Sequence, residues 1–314
     1  MARLSTRSGF SRRGPLGKSP GPVVLLLGLL LLVGSLVFFY FRLDRPEVAR
    51  GEEEVTLREA WQAGRYEDVL EVTEAIFSTA PLDPQGLVFA GFAHFYQGVN
   101  EVDQDDRESE LAQATRHLRR ALVLDRPPAF GEVNYVLAKT YYHRGPFYHD
   151  LVVAYMEQAI ESGYVADDSY EYLALAYETL GLYQESIRSL EEALARNSSD
   201  LLLLTLGQLL HQTGDLSGAK ERYSEAISST EDSFLKQEAR YGLGEVLLQE
   251  GDLDGAEEQY MAILEENERA ADAHYRLGLV YQAREDEERA RFEWRQAISI
   301  DPNHEEALRA LRGR

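Results

Sequence analysis

Cysteine is absent from all 314 residues, which excludes disulfides, thiolate metal sites and cysteine nucleophiles together. Acidic residues are missing from the first 43 positions, which instead hold Arg3, Arg7, Arg12, Arg13, Lys18 and Arg42. Beyond that tail cations are the scarce type. Lys and Arg number 32 against 54 Asp and Glu, for a net charge of −22. Phosphate binding needs clustered Lys and Arg, so no nucleic acid is expected among the partners. Catalytic signatures are lacking as well: there is no HExxH, no phosphate-binding glycine loop and no nucleophile elbow. Pairs such as Glu191-Glu192 and Glu257-Glu258 fit solvated helix faces. Neither an enzyme nor a bound cofactor is expected.

One long apolar run is present. Val23 to Phe41 is interrupted only by Gly28, Gly34 and Ser35. At about 1.5 Å per residue it nearly matches a hydrocarbon core of about 30 Å. A cleavable signal would have a shorter apolar core and a small-x-small site, whereas Phe38, Phe39, Tyr40, Phe41 and Arg42 close this run. The reading is a basic tail over 1–22, a transmembrane helix over 23–41 and a short linker over 42–49. Five basic residues precede the run, which places the N-terminus in the cytoplasm and the rest of the chain outside it. A bacterial periplasm fits a cysteine-free body. An Arg- and Ser-rich, acid-free start also resembles a mitochondrial presequence, so a mitochondrial membrane is the alternative.

The body repeats. Leu243, Gly244, Ala256 and Tyr260 recur 34 residues on as Leu277, Gly278, Ala290 and Trp294. The last unit adds Tyr281, Ala297 and Pro302. A period of that length with small residues at fixed offsets resembles the tetratricopeptide repeat (TPR), whose unit is a pair of antiparallel helices. The resemblance implies an all-α superhelical solenoid, and the apolar run places one N-terminal transmembrane helix before it. About seven units follow from it: 50–83, 84–128, 131–166, 167–200, 200–233, 237–270 and 271–304, with a capping helix over 305–314. The unit at 84–128 needs an enlarged turn, and the acidic stretch Asn100 to Leu111 is expected to supply it. Gly64, Gly98, Gly145, Gly181, Gly214 and Gly251 are expected to end the first helices, with Glu285 in that place in the last unit.

Such repeats bind partners mainly in a groove lined by their first helices, at positions 2, 5, 9, 12 and 13 of each unit. Carried onto this chain, the groove positions include Phe92, Phe95 and Tyr96, then Tyr135, Lys139, Tyr142 and His143, then Glu171, Leu175 and Glu178. Further along they include Gln208, His211 and Gln212, then Tyr241, Glu245 and Gln249, and last Tyr275, Leu279 and Gln282. A register error of one would return Phe92 and Phe95 to the core. The basic clamp with which one branch of the family grips a carboxylate tail cannot be assembled, because Val88 and Phe92, Tyr135 and Lys139, and Glu171 and Leu175 stand at its positions.

His143 and His149 lie six residues apart across a tyrosine-rich turn with no third ligand nearby, so the turn is read as a cap on the core and no metal is expected. Asp103 to Glu110 imitates a calcium loop but has Glu108 where the loop needs glycine. The expectation is a membrane-anchored adaptor that binds a protein or peptide partner in its groove. The alternatives are a small-molecule or lipid-binding subunit with a pocket at Tyr135, Tyr142 and Tyr148, and a structural spacer in an envelope or secretion assembly.

Overall fold

The computed structural model describes residues 56–124 and 127–313. The expected tail, membrane helix and linker fall outside the described residues, among which no helix is long and apolar enough to cross a membrane. Aspartate begins helix after helix. Side chains of Asp83, Asp103, Asp215, Asp232, Asp252 and Asp286 each accept from a backbone N–H two or three residues on, which satisfies donors that the first helical turn leaves open.

The helices run in antiparallel pairs. They are α1 (56–62) with α2 (Tyr66–Thr79), α3 (Pro84–Asn100) with α4 (Gln104–Val123), and α5 (Phe130–Arg144) with α6 (His149–Glu161). Then come α7 (Ser169–Thr179) with α8 (Tyr183–Arg196), α9 (Asp200–Thr213) with α10 (Leu216–Ser229), α11 (Ser233–Glu250) with α12 (Leu253–Glu266), and α13 (Ala271–Ala283) with α14 (Glu287–Ile300). A lone α15 (Glu305–Arg312) closes the array. It buries Ala307 and exposes Glu305, Glu306 and Arg309, the polar outer face that a terminal unit needs. First helices of consecutive pairs approach one another, α3 with α5, α5 with α7 and α9 with α11, and so form the inner layer.

Small residues set the helix spacing. A Cβ on Gly278 would lie 2.3 Å from Trp294 Nε1, so α13 and α14 meet at van der Waals distance only because glycine stands there. Tyr223 on α10 fills the space beside two glycines at once, Gly207 of its own pair and Gly242 of the next, and thereby joins consecutive pairs.

Two local expectations are corrected. The acidic stretch Asn100 to Leu111 is not an enlarged turn: from Gln104 it is helix, and the connection is only three residues, 101–103. Negative charge at a helix start is favourable, and Asp103 caps while Asp105 and Asp106 sit in the first turn. Glu108 pairs with Arg144 at 2.6 Å and Glu110 with His94 at 2.7 Å, so these acids hold neighbouring helices. Gly98 does not cap α3. It is buried, and a Cβ there would lie 3.0 Å from Leu111, so its role is close packing. Gly64, Gly145, Gly181, Gly214 and Gly251 do take positive φ, and Glu285 takes the same left-handed form at φ 61.

Stacked rings join α2, α3 and α4. His117 lies between Phe77 and His94, each at 5.5 Å between ring centres. Burial first, and then the charges of His94, Arg120 and Arg116, pull the His117 imidazole down from 6.5 to about 4. The unfolded chain protonates this group near 6.5 while the folded state keeps it neutral. Its contribution to stability is therefore complete above about 6.5 and is lost as pH falls toward 4. Urea midpoints measured across that window are expected to fall with acidification, and His117→Phe is expected to flatten the slope. An unchanged slope in the variant would assign the acid sensitivity to other groups.

Candidate functional site

The inner layer gathers its aromatic and charged side chains on α3, α5, α7 and the segment that joins α6 to α7. Tyr135, at the start of α5, donates to Asp168 at 2.6 Å. One turn later Lys139 donates to the other Asp168 oxygen at 2.7 Å and to the Tyr135 hydroxyl at 3.1 Å. The same ammonium lies 4.7 Å from the centre of the Tyr172 ring and 5.2 Å from that of Tyr135, within range of cation–π attraction. Burial, followed by the hydrogen bond to Asp168, pushes the Tyr135 hydroxyl far above its ordinary range, so it remains a donor at physiological pH. Tyr172 is pushed up to about 12, by burial and then by the Asp168 charge.

Further aromatic rings extend this strip in both directions. Tyr164 sits 5.4 Å from Tyr135. Tyr142 meets Tyr172 edge-on at 4.8 Å and stacks on His149 at 5.4 Å, while His143 stays exposed beside Tyr172 and Phe95. At the far end Tyr96 stacks on Tyr66 at 5.2 Å, beside an open cavity of about 720 Å³ lined also by Gln97, Asn100, Glu101 and Glu110.

The expected groove residues divide into three groups. Tyr96, Tyr135, Lys139, Tyr142, His143 and Glu171 lie in or beside the strip just described. Phe92 and Phe95 do not belong to the exposed groove: at 4% and 3% exposure both rings are core. Phe92 packs on Trp61, a residue of α1 that extends the aromatic core outward and leaves Tyr96 to face the groove. The remainder lie toward the C-terminus and are largely tied to one another. Gln249 bonds to His211 at 2.9 Å, and Arg276 crosses from the Tyr241 ring to Glu245 at 3.1 Å. Tyr275 and Gln282 line an open cavity of about 520 Å³ against α15. Glu178 is half-buried on α7 and Gln208 exposed on α9, and among the described residues neither is drawn into the strip. Tyr148 does not join Tyr135 and Tyr142 in a pocket, since its ring packs on Tyr141 and lies under the Arg144 guanidinium.

Sequence reasoning omits four residues that the structure places in the strip: Glu132, Tyr164, Asp168 and Tyr172. Two of them carried a signal. Glu132 and Asp168 occupy the second position of their units, within the same periodicity that selects Tyr135 and Lys139. Tyr164 lies in a connection between helices, where no helical period applies.

Residues 153–201 and 204–267 match one family profile described as tetratricopeptide repeat, and residues 271–304 match a second. Among solved structures, the C-terminal part of a TPR repeat-containing protein from Cytophaga hutchinsonii is similar at a TM-score of 0.61 and 12% identity. That likeness covers 81% of this chain and 98% of the other. YrrB, a TPR protein described as having an unusual peptide-binding site, is 24% identical with a TM-score of 0.43, covering 77% of this chain and 98% of its own. The MamA protein is 17% identical with a TM-score of 0.49, covering 55% and 92%. At 12% identity the likeness to the Cytophaga protein is one of fold alone. Comparison with curated proteins gives no match.

Proposed function

We propose that this chain, which carries its tetratricopeptide-repeat matches within residues 153–304, is a membrane-anchored repeat adaptor whose inner layer binds a protein or peptide partner outside the cytoplasm. The observation that carries the binding reading is the tyrosine strip across α3, α5 and α7. Tyr96, Tyr135, Tyr142, Tyr164 and Tyr172 lie within five consecutive helices and their connections, and all remain only partly buried. Tyrosine provides large contact area at low entropy cost, and an interface concentrates its binding energy on such groups. Anchoring rests on the sequence alone: the apolar run Val23 to Phe41, with basic residues ahead of it and an acidic body behind.

The groove is tested by Tyr96→Ala/Tyr135→Ala/Tyr142→Ala in the full chain. The triple variant is expected to lose its cross-linked partner in native membranes while far-UV circular dichroism stays close to that of the parent. Normal capture by a folded variant would move the site elsewhere. Anchoring and orientation are tested separately by a reporter fused after Arg314 that is active only when exported. Activity confined to the cytoplasm would overturn an extracytoplasmic array.

A further inference from the structure

Three carboxylates stand among the tyrosines of the strip, and the chain neutralises one of them. Asp168 holds Lys139 at 2.7 Å, with the rings of Tyr135 and Tyr172 beside the ammonium. The arrangement shows what these surroundings hold well: a primary cation that can pair with a carboxylate and face aromatic rings. Glu132 stands three residues before Tyr135 on α5 and Glu171 three residues after Asp168 on α7, each one helical turn from the cluster and neither paired with a lysine. Among the described residues neither has an ion-pair or hydrogen-bond partner, and both are half-buried. Burial pushes both carboxyl groups above their ordinary range, with the charge of Asp168 adding to the effect at Glu171. The negative charge of Glu132 is felt at Tyr96 and Tyr164, and that of Glu171 at Tyr172, so each carboxylate has tyrosine neighbours. Holding a desolvated carboxylate without a counter-charge is unfavourable for folding, and such groups collect where a ligand will use them.

We propose that the strip from Tyr96 to Glu171 receives an extended, cationic segment of the partner, with one lysine or arginine side chain at Glu132 and another at Glu171. The inference rests on the groove reading above and gives it a sign. Lys139 is then a fixed internal cation that sets the spacing: it keeps Asp168 from competing for the incoming charges and leaves one receptor on either side. The acidic body draws such a segment in from a distance, while the tyrosine faces hold its stems and charged heads once it arrives. An acidic or phosphorylated segment meets repulsion at the same two positions.

The test uses the full chain in detergent and two fluorescent peptides of about ten residues, one alternating lysine with alanine and the other glutamate with alanine, a length that spans a few groove positions. The lysine peptide is expected to bind in a salt-dependent way, and the glutamate peptide is not. Glu132→Gln/Glu171→Gln is expected to weaken lysine-peptide binding at least about tenfold, the order expected for loss of a desolvated charge pair. Glu191→Gln/Glu192→Gln, on the exposed face of α8, is expected to leave it unchanged. Equal losses from both pairs, or loss from neither, would assign the binding to the diffuse charge of the body and overturn the proposal. Cross-linking in native membranes separates this failure from that of the groove. If the tyrosine triple variant loses the partner and the glutamine pair keeps it fully, the groove stands and its cationic ligand falls. Capture by both variants overturns the two together.

Discussion

Trp294→Ala is expected to lower the stability of the array by about 3–5 kcal/mol, the range for truncating a large buried aromatic. The side chain is 1% exposed, and its Nε1–H donates to the Tyr275 carbonyl at 3.2 Å. Its ring fills the space that Gly278 leaves on the facing helix. Alanine would therefore open a cavity and remove the second hydrogen bond to the Tyr275 carbonyl in the same step. The damage should stay local, because each pair contacts only its neighbours and opening begins where the array ends. Amide exchange is expected to accelerate over α13 to α15 while α3 to α7 keep their protection and peptide binding is retained. Uniform acceleration along the chain would show that the pairs unfold as one body.

Gly91→Leu is expected to do the opposite to function. A Cβ at Gly91 would sit 2.4 Å from Leu118 Cδ2 and 3.3 Å from the Leu118 backbone nitrogen, so a branched side chain must drive α3 away from α4. Overpacking of this kind costs about 1–3 kcal/mol, and more where backbone is the obstacle. Here the displaced helix carries Tyr96, and its neighbours Phe92 and Phe95 are the core contacts that hold that tyrosine in place. Stability and partner capture should fall together, whereas the Trp294 variant loses stability alone. If the Gly91 variant melts like the parent, the packing of α3 on α4 is looser than the structure has it. If it melts early yet captures normally, the strip does not depend on α3.

How far each feature could be read from the chain depended on whether one residue type served one purpose. Alanine and glycine at the recurring offsets have only a packing role, so Gly244, Ala256, Gly278 and Ala290 mark tightly packed helix faces without ambiguity. Glycine serves two purposes elsewhere: Gly98 looks like the helix-ending glycines, yet it takes no positive φ and instead makes room for Leu111. Charge was misleading in a related way. Acids between Asn100 and Leu111 suggest a loop by composition, although they are stable in a helix whose first turn favours anions and whose later acids have cations to meet. Phe92 and Phe95 were undecidable from spacing, since on a helix that buries most of its surface a one-residue rotation exchanges core for groove. The strip itself needed three dimensions. Asp168 lies 29 residues from Lys139, and only the return of the chain at α7 brings them to 2.7 Å.

α7 itself belongs to two cores. Leu173 and Ala176 pack with the residues of α3 to α6, while Ala174 packs with the cluster that continues through α9 to α15. Its partner α8 presents Ser186 and Ser189 inward, and Ser186 spends its hydroxyl on the Ala174 carbonyl instead of adding apolar surface. Polar side chains thus interrupt the apolar packing where the two cores meet. Asp168, Glu171 and Tyr172 stand at that joint. A segment lying across them therefore rests on side chains anchored in both cores, and its contacts add to the join between the two halves of the array.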